Sequence, residues 1–115
     1  MAEQISPARL AEMLEAGDAQ VIDVREDHEH DAGHIAGDRH IVLPSLTDEA
    51  GSLDKDRPVV VYCRSGSRAE VAADALQASG YQAYNLEGGF SAWHEQDLPS
   101  EPENAEVARQ SVFIN

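Results

Sequence analysis

The sequence predicts a small α/β domain whose mostly parallel central sheet carries helices on both faces. Three observations point there. Short apolar runs alternate with segments of helical spacing in units of about 30 residues. The strongest run, Pro58-Val59-Val60-Val61-Tyr62, has no polar alternation, as expected of a central strand covered on both sides. The 115 residues allow one domain and not two.

Each element can be justified in order. Ser6-Pro7 reads as an N-cap followed by the first helical position, where a missing N–H costs nothing. Leu10, Met13 and Leu14 then mark one face of a helix that ends near Gly17. Val21-Ile22 with Val24 forms a buried strand; Asp23 interrupts it and needs a partner there. Glu26 to Ala32 suits a short surface helix. His40-Ile41-Val42-Leu43 reads as a second strand, stopped by Pro44. Ser45 to Asp56 is a polar connector with room for a helical turn. After the central strand, Ala69, Ala72, Ala73 and Leu76 recur at helical spacing, with Gly80 at the end. Tyr81 to Leu86 gives another strand. Phe90 to Gln96 gives a last helix, with Phe90 and Trp93 as core anchors. The domain therefore spans 1–99. From Pro99 the composition turns to Pro, Glu, Ser and Asn, so 100–115 reads as a tail, within which Val112-Phe113-Ile114 can bind a partner or pack on the domain.

Composition excludes several classes. With 22 acidic and 8 basic residues the net charge is −14, which opposes nucleic acid and anionic membrane surfaces. No 18-residue apolar stretch spans a bilayer. The first residues, Met1-Ala2-Glu3-Gln4-Ile5, lack the basic-then-apolar pattern of a secretion signal. A single cysteine forbids an intramolecular disulfide and any Cys-rich metal site. These features together place the protein in the cytoplasm.

That cysteine, Cys63, follows the central strand directly. Arg64-Ser65-Gly66-Ser67-Arg68 comes next, and then a helix begins. In parallel α/β sheets, sites lie at the carboxyl ends of strands, as here. The helix N-terminus presents unpaired N–H groups, Gly66 permits an anion-binding curl of the backbone, and two of eight cationic residues fall in one short window. All three effects favour thiolate over thiol. The hydroxyls of Ser65 and Ser67 add donors for an anion held above the sulfur.

The chain resembles the rhodanese-like sulfurtransferase domain in its single-domain form, over roughly residues 5–99. Cys63-Arg64-Ser65-Gly66-Ser67-Arg68 resembles the family's six-residue active-site loop. Asp23-Val24-Arg25 resembles its acid-x-Arg element, and Gly33-His34-Ile35-Ala36-Gly37 its Gly-His-Ile element. Leu86-Glu87-Gly88-Gly89-Phe90 with Ala92-Trp93 resembles its Gly-Gly-x-x-x-Trp element. Where many members carry Asn-Ile-Pro, this chain has His40-Ile41-Val42-Leu43-Pro44, which leaves the strand register and the role of Arg39 open.

The resemblance implies covalent sulfur transfer without a cofactor. Cys63 takes the sulfane sulfur of a small anionic donor such as thiosulfate, becomes a persulfide, and yields the sulfur to cyanide, a thiol or a protein acceptor. Arg64, Ser65, Gly66, Ser67 and Arg68 bind the anion, and Asp23 and Arg25 support the loop. A non-turnover persulfide carrier or sensor with a protein partner needs the same loop. A phosphatase or arsenate reductase is disfavoured, since the Cys-x4-Arg spacing is one residue short of the phosphate-binding Cys-x5-Arg loop and there is no second cysteine to resolve an oxidised Cys63. His28, His30 and His34 raise a metal reading, but a solvated helix with His34 as a structural histidine is the stronger expectation, so no metal is assigned. His94 is expected on a helix surface.

Overall fold

The computed structural model describes residues 2–110. Its main sheet has five strands, β1 (Glu3–Ile5), β2 (Gln20–Asp23), β4 (Arg39–His40), β5 (Val59–Tyr62) and β6 (Ala83–Leu86). Their order is β1-β6-β5-β2-β4, and every pairing is parallel. Strand β5 therefore lies in the middle, as its unbroken β-branched run requires. The helices are α1 (Pro7–Glu15), α2 (Asp27–Ala32), α3 (Leu46–Glu49), α4 (Ser67–Ala78) and α5 (Gly89–Glu95).

The two faces of β5 generate two cores. Val59 and Val61 point to one face, where they join Ala69, Ala72, Ala73 and Leu76 of α4. Val60 and Tyr62 point to the other, among Leu10 and Met13 of α1 and Phe90 and Trp93 of α5. The period of two along the strand thus assigns helices to both faces. The three alanines of α4 let that helix lie close against the sheet. Trp93 is fully buried and donates its ring N–H to the Pro99 carbonyl, 3.0 Å away, which ties the end of α5 to the chain beyond it.

A local signal fixes the start of α1. Ser6 accepts from the Arg9 N–H at 3.1 Å and caps α1, with Pro7 in its first turn. Three elements depart from expectation. Strand β1 precedes α1 and pairs with β6; only Ile5 among its residues is buried, so the sequence carries almost no pattern for it. The expected strand over 40–43 is shorter and earlier, at Arg39–His40, because Leu43–Ser45 turns as a 3₁₀ helix around Pro44. Strand β3 (His34–Ile35) pairs antiparallel with β7 (Ser100–Glu101), so the first residues past position 99 are drawn onto the domain. Ala105 and Val107 pack against the second core, and the Glu106 N–H donates to the Ala32 carbonyl at 2.8 Å. Val112, Phe113 and Ile114 lie outside the described residues.

The entry to α5 packs tightly against the start of the loop after β5. Gly89 has φ +58°, and a Cβ there would stand 2.6 Å from the carbonyl oxygens of both Cys63 and Arg64. Those carbonyls accept the N–H groups of Phe90 (2.8 Å) and Ser91 (3.0 Å). Gly89→Ala should therefore cost about 1–2 kcal/mol from left-handed backbone alone, plus the displacement of the 63–64 backbone. Urea denaturation checks this: the midpoint should fall, and an unchanged midpoint would contradict the contact.

Candidate active site

The loop from Cys63 to Arg68 leaves the carboxyl end of β5 and delivers the chain into α4. Cys63 is buried, and its Sγ accepts two backbone N–H groups, from Gly66 at 3.0 Å and from Ala69 at 3.5 Å. Gly66 has φ +122°, a conformation closed to most side chains, and this lets the backbone curl back over the sulfur. The Gly66 carbonyl accepts from the Glu70 N–H at 2.9 Å, the first helical bond of α4, and from Asn85 Nδ2 at 3.1 Å. The curl is thus pinned by the helix on one side and by strand β6 on the other. Ser65 and Ser67 are exposed at the rim of the loop.

The two arginines of the loop differ. Arg68 places Nη1 on Glu29 Oε1 (2.7 Å) and Nη2 on Glu29 Oε2 (2.9 Å), a bidentate pair with a fully buried carboxylate. This pair ties the guanidinium to α2. The hydrogen bonds that Arg68 donates to Glu29 raise its guanidinium above its ordinary value; burial pushes the Glu29 carboxyl up, but the pairing outweighs it and holds the group below the usual carboxylate range. Arg64 has a buried Nε with no hydrogen-bond partner among the described residues.

Asp23 and Arg25 form a second, fully buried pair. Arg25 Nε and Nη2 donate to the two carboxylate oxygens at 2.9 and 2.8 Å, and the Arg25 N–H donates to Oδ1 at 2.9 Å. Burial pushes the Asp23 carboxyl up, but these three donors overcome it and hold the group below its ordinary value. The guanidinium also binds the Gly33 carbonyl at 2.6 Å and lies over the rings of Phe90 (4.7 Å) and Tyr62 (5.3 Å). No hydrogen bond links this pair to residues 63–68. It reaches the loop through Tyr62, which precedes Cys63, and Phe90, which donates to the Cys63 carbonyl. A cleft of about 610 Å³ opens beside the loop, bounded by Arg25, Arg68, Val24, Val42 and Leu43; Cys63 does not line it.

Two residues that hold the loop escape sequence reading. Glu29 sits in a polar heptapeptide, and only its place three residues after Glu26, a capping-box spacing, marks it. Asn85 is buried, and its only mark in the sequence is an amide side chain inside the β6 run. Among the histidines, His28 has the exposure expected of a surface helix, with Nε2 2.7 Å from the Arg109 carbonyl. His30 departs from expectation: it is partly buried and stacked on His34, the expected structural histidine, which is partly buried as well. His94 packs beside Phe90 with Nε2 2.9 Å from the Ala105 carbonyl, so it is only partly a surface residue. Arg39 is exposed, on Ser52 Oγ (2.6 Å) and near Glu49 (3.5 Å).

The buried carboxylates set the acid limb of stability. Asp23 and Glu29 are depressed in the fold, so the unfolded chain takes up their protons first as pH falls. Their contribution is present above the ordinary carboxylate range and is lost as pH drops from about 5 towards 3. Asp38, which burial holds above its ordinary value, acts in the opposite sense. Glu29→Gln should flatten the loss of stability over that window, read as urea midpoints against pH. Parallel slopes in the two proteins would contradict the assignment.

Residues 6–96 match the rhodanese-like domain. The thiosulfate sulfurtransferase GlpE of Shewanella oneidensis is 38% identical over 94 residues, covering 81% of this chain and 93% of its own. The protein of the same name from Stutzerimonas stutzeri is 36% identical over 105 residues, covering 90% and 94%. Among solved structures, a rhodanese-related protein from Thermoplasma volcanium superposes with a TM-score of 0.79 at 31% identity, over 85% of this chain and 96% of that one. With its loop at the end of β5 and this span of matched residues, the chain belongs to the rhodanese-like domain family.

Proposed function

We propose that the protein is a thiosulfate sulfurtransferase in which Cys63 accepts and passes on a sulfane sulfur. The observation that carries this reading is the pair of backbone N–H groups directed at one sulfur atom, from Gly66 and Ala69. Amide donors at a helix entrance favour negative charge at the point they face. Both the thiolate and the persulfide are anions, so the same donors serve the resting and loaded enzyme.

The chemistry closes without a cofactor or general base. The Cys63 thiolate attacks the outer sulfur of thiosulfate. The S–S bond of the donor breaks, and its electron pair leaves with sulfite. The persulfide that remains carries one negative charge on its terminal sulfur. Cyanide or a thiolate attacks that sulfur, the new S–S bond breaks, and the Cys63 thiolate returns. The role of anion receptor falls to the loop amides and Arg64, whose buried Nε is unpartnered; the pairing with Glu29 makes Arg68 a support of the loop. Asp23 and Arg25 act one layer further out, by fixing the rings of Tyr62 and Phe90. The short six-residue cradle suits a sulfur atom better than a phosphate, and relatives named thiosulfate sulfurtransferase support the choice of donor.

Mixing the protein with thiosulfate and cyanide should give thiocyanate, and Cys63→Ser should abolish it. Thiocyanate at the same rate from both proteins would overturn the reading. The arginines should separate in the same assay. Arg64→Ala should raise the thiosulfate KM severalfold with unfolding midpoints little changed. Arg68→Ala should instead lower stability by about 3 kcal/mol, since it leaves the buried Glu29 carboxylate uncompensated. A higher KM with intact stability in Arg68→Ala would return that side chain to the substrate.

A further inference from the structure

The sequence reads His30 as part of a solvated helix and His34 as a structural histidine, and the structure places both in a cluster with two buried carboxylates. His30 lies between two other imidazoles, His34 at 3.9 Å and His40 at 4.3 Å between ring centroids. His34 Nδ1 is 3.0 Å from Asp38 Oδ1, and His30 Nδ1 is 3.8 Å from Asp38 Oδ2 and 2.9 Å from Asp23 Oδ2. The side chains of His30 and His34 are 18% and 20% exposed, while that of Asp38 is 1% exposed.

The charges do not balance within this cluster. Asp23 has Arg25. Among the described residues Asp38 pairs with no Lys or Arg; it faces the two imidazoles and accepts from the Tyr62 hydroxyl at 2.6 Å. Burying a carboxylate without a cation is costly, and a metal ion is one means of offsetting it. One donor atom each from His30, His34 and Asp38 lie within 4.8 Å of one another. Donors around a tetrahedral zinc at about 2.0–2.2 Å stand about 3.3 Å apart, so this spread needs only a small contraction. The rings are stacked, 16° from parallel, so one must turn about its Cβ–Cγ bond to aim its lone pair at a shared ion, and their partial exposure gives it room.

We propose that His30, His34 and Asp38 form a binding site for a divalent transition-metal ion, with solvent completing the coordination. Two imidazoles and one carboxylate select zinc, nickel or cobalt over calcium, magnesium or copper(I). The neighbouring group of Asp23, His30 and His40 is less able to serve. Its carboxylate is held bidentately by Arg25, and His40 Nε2 is engaged 2.7 Å from the Arg25 carbonyl. The site is separate from the sulfur chemistry; Tyr62, beside Cys63, is its nearest link to the loop.

The test is cobalt titration of the untagged full-length chain, followed by zinc competition. Visible d–d bands should saturate at one equivalent, show no thiolate-to-cobalt charge transfer, and vanish when zinc is added. His30→Asn, His34→Asn and Asp38→Asn should each weaken binding at least about tenfold, while His28→Asn leaves it unchanged. Circular dichroism confirms that each variant is folded. Should a variant fail to fold, the wild-type titration still decides. Absence of saturable binding, a charge-transfer band placing the metal on Cys63, or loss of binding only in His28→Asn would overturn the proposal.

Discussion

The site depends on one arrangement of backbone: residues 63–68 curled around the sulfur of Cys63. A cysteine at the end of a buried strand has no reason to carry charge. Two N–H groups aimed at its sulfur set Cys63 apart from such a residue. The curl demands a residue at φ +122°, and it demands that the flanking peptides be held, since each has other ways to satisfy its hydrogen bonds. The neighbouring architecture meets that second demand. The N–H groups of Phe90 and Ser91 take the carbonyls of Cys63 and Arg64, so the first turn of α5 fixes where the loop begins. Asn85 and the first helical bond of α4 take the Gly66 carbonyl, so the loop is fixed where it ends.

The two buried ion pairs form a second layer of the same support. Each joins a carboxylate on the β2–α2 side of the fold to a guanidinium, and each leaves the loop by a different route. Glu29 holds Arg68 directly and so ties α2 to the start of α4. Asp23 holds Arg25, whose guanidinium then lies over Phe90 and Tyr62. Charges of this kind are expensive to bury, and here each is held by a bidentate pair, with Arg25 Nη2 also on the Gly33 carbonyl. Arg25 Nη1 is buried with no hydrogen-bond partner among the described residues.

The parts legible in sequence are those with strong local grammar. Val59-Val60-Val61 announces a central strand, Ser6-Pro7 a helix start, and Cys63 to Arg68 a loop between the central strand and a helix. What escaped was set by tertiary contact. Strand β1 exists because β6 offers it a free edge, and three residues with one buried side chain carry no period of their own. Arg68 reads from sequence as a free cation beside the cysteine, since a partner 39 positions away leaves no mark on spacing. Glu29 and His30 look like members of a polar surface helix, because a six-residue helix is too short to show which face it buries. Those two side chains turn inward, one to the active loop and the other to the cluster with His34 and Asp38.

The central claim is that Cys63 alone carries the transferred sulfur. The most direct measurement is the intact mass of the full-length chain after incubation with thiosulfate and removal of small molecules. The account predicts a gain of one sulfur atom, located on Cys63 by peptide mapping and removed by brief treatment with cyanide. No gain in the wild-type chain, or the same gain in Cys63→Ser, would contradict it.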